Sequence, residues 1–198
     1  MNTQDVIIIG GSYAGMAAAL QLVRARRRVL IIDAGKRRNQ AGADSPGFLS
    51  QDRARPAEIA RRGIAEHVLL TTLTWVEDVA LDASGTRDAF SVATAASGTF
   101  SARRLLLATG VADELPSIDG IRERWGKSVF HCPYCHGYEL DQGEIGVIAA
   151  VPMSIHQAQL LPEWGNVTFL LNGAIELDAT AREELVARGV RIEETPIA

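Results

Sequence analysis

Val6-Ile7-Ile8-Ile9-Gly10-Gly11-Ser12-Tyr13-Ala14-Gly15 decides the fold. Its first four residues are all β-branched, as suits a strand buried on both faces of a parallel sheet. The glycine turn that follows runs straight into helix-prone Met16-Ala17-Ala18-Ala19-Leu20. Strand, glycine turn and helix in this order form a dinucleotide-binding fingerprint. Gly10 permits the tight turn, Gly15 lets helix pack close on strand, and the free amides at the helix start face a pyrophosphate. Ser12 stands where the pattern has its second glycine; its Cβ narrows the approach of backbone to phosphate, while Gly11 and the small hydroxyl keep the site open. A second strand, Val29–Ile32, ends at Asp33, about 20 residues on, where a carboxylate accepts hydrogen bonds from adenosine ribose hydroxyls. That carboxylate repels a 2′-phosphate, so FAD or NAD is expected and not NADP. Lys36, Arg37 and Arg38 pull the other way; a solvated loop is expected there, with a diphosphate contact as the alternative.

The chain has 198 residues, 47% of them hydrophobic, and its mean hydropathy is near zero, enough for one or one and a half globular domains with an ample core. Met1-Asn2-Thr3-Gln4-Asp5 has neither the basic region nor the apolar length of a signal peptide, and no apolar run reaches membrane-spanning length. A cytoplasmic location without membrane partners is expected. The net charge of −4 leaves no electrostatic footprint for nucleic acid. The local cluster Arg24, Arg26, Arg27 and Arg28 reads as the exposed end of a helix, where cations suit the dipole.

The only two cysteines lie in Cys132-Pro133-Tyr134-Cys135-His136, one helical turn apart and beside an imidazole. Such a pair closes into a disulfide without moving the backbone, and His136 with a helix N-terminus holds one sulfur as the attacking thiolate. In the cytoplasm a Cys-x-x-Cys pair is more often catalytic than structural. Three other readings stay open. A zinc site lacks a distant second ligand pair, since His131 and His136 sit too close. A c-type haem attachment string needs an exported chain. Two inert core thiols would be in unusual company beside Pro133 and His136.

Between these landmarks, Pro56–His67 reads as a helix, and strands are expected at Leu69–Val76, Phe90–Thr94 and Thr99–Ser101. Arg103–Leu107 follows as a buried strand ending in Ala108-Thr109-Gly110. A second nucleotide-type unit begins with strand Glu144–Ala150 and helix Met153–Leu161, but its turn, Ala149–Met153, carries no glycine. The next strand, Val167–Leu171, ends at Asn172-Gly173 without an arginine pair for a 2′-phosphate, so NADPH has little support. Helix Ala179–Arg188 and strand Val190–Glu193 complete the chain. His156 is expected to be packed or solvent-facing, and Tyr134 and Tyr138 to line a small-molecule cleft or to be ordinary packing.

Gly10–Gly15, Asp33-Ala34-Gly35 with Arg38-Asn39, Ala108-Thr109-Gly110 and Cys132–Gly137 together make the sequence similar to the low-molecular-weight thioredoxin reductase family of FAD-dependent pyridine nucleotide-disulfide oxidoreductases. The resemblance covers nearly the whole chain. It is nearest to the branch that includes the dithiol oxidases of gliotoxin and holomycin biosynthesis, which carry a Cys-Pro-Tyr-Cys-His-Gly string. Thioredoxin reductases proper have an acidic residue after the second cysteine, where His136 stands here. The resemblance implies an FAD site formed by Gly10, Gly11, Ser12, Tyr13, Ala14, Gly15, Asp33, Ala34, Gly35, Arg38, Asn39, Ala108, Thr109 and Gly110. It also implies Cys135 beside the flavin, Cys132 exchanging with substrate, and His136 as acid/base, a task that imidazole performs near neutral pH. No metal is expected.

The fold expected is α/β: a Rossmann-like FAD-binding domain with a three-strand antiparallel excursion over residues 1–115, joined near Asp113–Gly120 to a partial second α/β nucleotide-type domain over residues 116–198. Family members return to the FAD domain for a further stretch that this sequence does not include, so a truncated chain or one completed by a partner is expected. The activity expected is dithiol/disulfide exchange between flavin and the Cys132/Cys135 pair, oxidising a small-molecule dithiol with oxygen. NADPH-dependent reduction of a thioredoxin-like protein disulfide is the alternative, and a non-catalytic remnant or assembly subunit the third. A homodimer is expected.

Overall fold

The computed structural model describes residues 3–68 and 71–197. The chain divides into two compact units: Met1–Asp44 with Ala54–Asp113, and Ser45–Arg53 with Glu114–Ala198. In the first, β1 (Gln4–Ile9) is buried on both faces because its side chains alternate between two layers. Val6 and Ile8 pack with Ala19 and Val23 of α1 (Tyr13–Arg24), and with Val29 and Ile31 of β2 (Val29–Asp33). Ile7 enters the opposite layer with Leu30, Ile32, Val92 and Ala102. Each fully buried aliphatic side chain contributes about 1.5–3 kcal/mol of transfer free energy. The continuous apolar run is therefore what a doubly covered strand requires.

The sheet has six strands in the order β3-β2-β1-β6-β5-β4. β3 (Leu73–Glu77) extends it in parallel beyond β2, and β6 (Thr99–Leu107) runs parallel to β1 on the other side. β4 (Ala80–Thr86) and β5 (Ala89–Thr94) complete an antiparallel three-strand excursion with β6. Helix α2 (Pro56–Val68) reaches α1 closely because Gly63 has no Cβ; one placed there would lie 2.8 Å from Met16 Sδ.

Three strand expectations are corrected. The segment expected at Leu69–Val76 is strand from Leu73, with Leu69 and Leu70 outside the described residues, and it joins the parallel sheet. The first strand of the excursion is β4, whose largely exposed polar sequence carries no apolar alternation. Thr99–Ser101 and Arg103–Leu107 are one strand, because buried Ala102 between them pairs with Gln4 on one side and Phe90 on the other.

The second unit contains short helices α3 (Ile121–Arg124) and α4 (Pro133–His136), then a parallel three-strand sheet of β7 (Glu144–Ile148), β8 (Asn166–Leu170) and β9 (Arg191–Glu193). Helices α5 (Met153–Leu160) and α6 (Ala179–Ala187) connect these strands. Phe169, Leu185, Val167 and Val147 centre its core, and Asp178 caps α6 by accepting the Ala181 N–H at 2.7 Å. Among the described residues no helix is long and apolar enough to cross a membrane.

Asp78 fastens the β3–β4 turn to the end of β5, accepting the N–H groups of Val79 (2.7 Å), Ala96 (3.0 Å) and Ser97 (2.6 Å). The Ser97 hydroxyl above all, with these amides adding to it, holds its carboxyl well below the usual carboxylate range, against a desolvation that outweighs any single amide. A carboxylate depressed in the folded state stabilises above its unfolded pKa, and that contribution is lost as pH falls through the folded value. The denaturant midpoint of the wild type is expected to exceed that of Asp78→Asn at neutral pH, with the gap narrowing below about pH 4. A gap independent of pH would contradict this account.

Candidate functional site

The turn between β1 and α1 is built by close backbone contacts. Gly10 has φ +103°, and a Cβ on it would lie 2.3 Å from the Ala108 carbonyl oxygen. A Cβ on Gly15 would lie 1.9 Å from the Gly10 carbonyl oxygen, so α1 starts against the turn only because position 15 is bare. The Gly11 N–H donates to Asp33 Oδ1 at 3.0 Å, and Asp33 is buried at the end of β2. Ser12 is the N-cap of α1 in extended conformation, and its hydroxyl makes no cap hydrogen bond. Asn39 Nδ2 donates to the Tyr13 hydroxyl at 2.9 Å, tying the 38–41 turn to the helix start.

The fold thus gathers Gly10–Gly15, Asp33, Asn39 and Ala108 around one turn. Arg38 is used differently: its guanidinium is bidentate on Asp113, at 2.8 and 2.5 Å. Ala34, Gly35, Thr109 and Gly110 are exposed nearby in sequence, with Gly35 and Gly110 at positive φ and open space where a Cβ would stand. The solvated loop expected at 36–38 holds for Lys36 but not for Arg37, whose side chain is only 20% exposed and whose Nε is buried without a hydrogen-bond partner. Trp75 of β3 belongs to the site without any sequence motif that points to it. Its ring lies where a Cβ on Gly11 would come within 2.5 Å, so the indole covers the turn; only the strand register reveals this.

In the second unit Cys132 is the extended N-cap of α4 and Pro133 its first residue, where the missing N–H would have had no helical partner. Cys132 and Cys135 are half-buried thiols, not joined as a disulfide, with sulfurs 2.9 Å apart. The His136 ring stacks on Phe130 at 3.9 Å between centroids, which orients the imidazole plane. Tyr134 meets Trp164 edge-on at 5.2 Å. Gly137 makes room for that indole, since a Cβ there would lie 2.4 Å from Trp164 Cδ1. Among the described residues no three His, Cys, Asp or Glu side chains gather as metal ligands.

Residues 4–193 match the family model of pyridine nucleotide-disulphide oxidoreductases. The chain belongs to this family. An oxidoreductase from Agrobacterium tumefaciens superposes with TM-score 0.94 at 55% identity, over 98% of this chain and 66% of that one. The crystal structure of HlmI gives TM-score 0.88 at 41% identity, over 98% and 62%. The thioredoxin reductase tcpT of Claviceps purpurea is 36% identical over 155 residues, covering 77% of this chain and 48% of its own. The chain therefore spans about half the length of that curated relative.

Thioredoxin reductase-like members of the family depend on FAD. The first unit fits such a group: a turn bare of side chains at Gly10, Gly11 and Gly15, a helix N-terminus behind it, the Asp33 carboxylate for ribose hydroxyls, and in Arg37 a buried donor still lacking an acceptor. Gly15→Ala is expected to cost about 1–3 kcal/mol through overpacking and to strip flavin from the purified protein, read as visible absorbance per chain. Gly137→Ala is expected to lower the thermal midpoint while leaving flavin content unchanged. Equal flavin loss in both variants would contradict the assignment of cofactor binding to the β1–α1 turn.

Proposed function

We propose that this chain is the flavin- and dithiol-bearing part of an oxidase that converts small-molecule dithiols to disulfides with dioxygen as electron acceptor. The observation that carries this reading is the turn at 149–153, the counterpart in the second unit of the glycine turn. There Ser154 Oγ accepts the N–H groups of Ala150 (3.2 Å) and Val151 (3.3 Å), the donors a pyrophosphate would need. Pro152 offers no N–H, and the exposed side chains of Val151 and Met153 flank the turn. A turn that satisfies its own donors is a poor cradle for a nicotinamide dinucleotide, which supports an electron acceptor other than NADP.

The exposed apolar side chains of the second unit, Tyr134 among them within the cysteine helix, support an apolar substrate. Leu49 is 90% exposed, Tyr138 84% and Tyr134 73%, with Phe48 and Leu140 also open. An Arg53–Glu139 ion pair of 3.3 Å ties the 45–53 loop to the turn that follows α4. Exposed apolar side chains at these positions suit an uncharged dithiol better than a charged protein surface. The fungal relatives named thioredoxin reductases favour the alternative, reduction of a protein disulfide with NADPH.

In the proposed reaction, a substrate thiolate attacks Cys132 Sγ of the oxidised pair, breaking its bond to Cys135 and releasing Cys135 as thiolate. The second substrate thiol then displaces Cys132, leaving a substrate disulfide and a reduced pair. His136 takes the protons that the substrate thiols give up. Bound FAD supplies the two-electron relay to oxygen that regenerates the disulfide. Overall, dithiol plus dioxygen gives disulfide plus hydrogen peroxide, with two S–H bonds broken and one S–S bond formed.

Anaerobic mixing of the flavin-loaded protein with NADPH is expected to leave the flavin absorbance unchanged, whereas a small aromatic dithiol in air is expected to drive oxygen uptake. Rapid bleaching by NADPH would overturn the oxidase reading in favour of the reductase. For the sulfur roles, Cys135→Ser is expected to abolish any long-wavelength band of a thiolate beside oxidised flavin, and Cys132→Ser to retain it. The reverse pattern would exchange the two assignments.

A further inference from the structure

We propose that Arg37 is a specificity-determining residue of the dinucleotide site, reading the adenosine ribose together with Asp33 by opposite hydrogen-bond roles. The inference rests on FAD binding by the first unit and is independent of the direction of electron flow. Asp33 is 7% exposed and has one oxygen occupied by the Gly11 N–H. Its other oxygen, Oδ2, stands 3.8 Å from an Arg37 terminal nitrogen, close enough for charge attraction but beyond a normal hydrogen bond. Arg37 Nε is buried with no acceptor. A carboxylate only accepts and a guanidinium only donates, so each of these groups holds unused capacity of opposite kind.

A buried N–H without an acceptor is disfavoured, and a short rotation of the guanidinium onto an arriving oxygen relieves it. The ligand that completes both groups offers donors and acceptors on adjacent atoms. A vicinal diol does so, because each hydroxyl gives one proton and keeps its lone pairs. A 2′-phosphate offers acceptors alone; it would satisfy Arg37 while pressing its charge on Asp33. Arg37 therefore eases the charge clash that Asp33 alone would impose on a phosphate, while only the diol completes both groups. Rejection of a 2′-phosphate rests on Asp33, and Arg37 adds the donor that a ribose hydroxyl oxygen accepts.

The test is titration of the flavin-free 198-residue chain with FAD, ADP, 2′-deoxy-ADP and 3′-deoxy-ADP, followed by calorimetry. The wild type is expected to bind FAD and to prefer ADP over at least one deoxy analogue about ten- to a hundredfold, as loss of a hydrogen bond to a charged group dictates. Arg37→Met is expected to bind FAD about tenfold more weakly and to shrink the preference for ADP at least threefold, whatever Asp33 alone retains. If that variant does not fold, Arg37→Lys, which keeps the charge but not the planar fork, is expected to lose discrimination in the same way. Equal binding of ADP and both deoxy analogues by the wild type would overturn the proposal. So would a folded variant that weakens all three nucleotides alike, the mark of a merely structural arginine. A wild type that takes up no FAD at all would overturn the flavin site as well, which separates the two failures.

Discussion

The approach of Gly15 to the Gly10 carbonyl is the constraint from which the first unit follows. No side chain fits where a Cβ on Gly15 would stand 1.9 Å from that oxygen. Because the position is bare, α1 can leave the end of β1 at once and lie down on the sheet, and its inward face meets Val6, Ile8, Val29 and Ile31 as one layer. The same turn brings the Gly11 amide to Asp33 and the Gly10 backbone to Ala108. Core packing and ligand geometry thus share one cause. A substitution at this turn is felt in both, unlike one at Phe169 or Leu185, which touches only the core of the other unit.

The two units repeat one architectural idea with different chemistry at the turn. Each has parallel strands joined by helices, and in each a turn after a first strand leads into a helix. In the first unit the turn's Gly10 and Gly11 donors go to Ile32 and Asp33 of β2, and the start of α1 follows directly. In the second the turn's donors are spent on Ser154, whose buried hydroxyl closes the turn on itself. Fold likeness alone would assign a nucleotide to both. The difference lies in one serine and the glycines that are not there.

How far this molecule is legible in its residues depends on the range of the interaction involved. The β1–α1 unit, the site of Asp33 and the cysteine helix are written in local patterns of a few residues, and the structure places them where those patterns point. β4 was not legible, because a strand that is mostly exposed and polar owes its place to pairing with β5 and not to burial. Nor were Trp75 over Gly11, Phe130 under His136 or Asp113 on Arg38, since each contact joins residues that only the register of the sheet or the path of a loop brings together. Arg37 misled for another reason: a run of three cations suggests solvent, and the middle one turns inward.

The single-turn helix that carries the cysteines has a thermodynamic consequence. A bond between Cys132 and Cys135 would close a ring of only four residues. By chain entropy such a crosslink restricts the unfolded ensemble by about 2 kcal/mol, against nearly 5 for a hundred-residue loop. Making or breaking it therefore shifts global stability by less than half as much as a long-range crosslink would. The redox state of such a pair thus weighs less on the folded scaffold than a crosslink between distant elements would, and its reduction potential follows chiefly from its immediate neighbours.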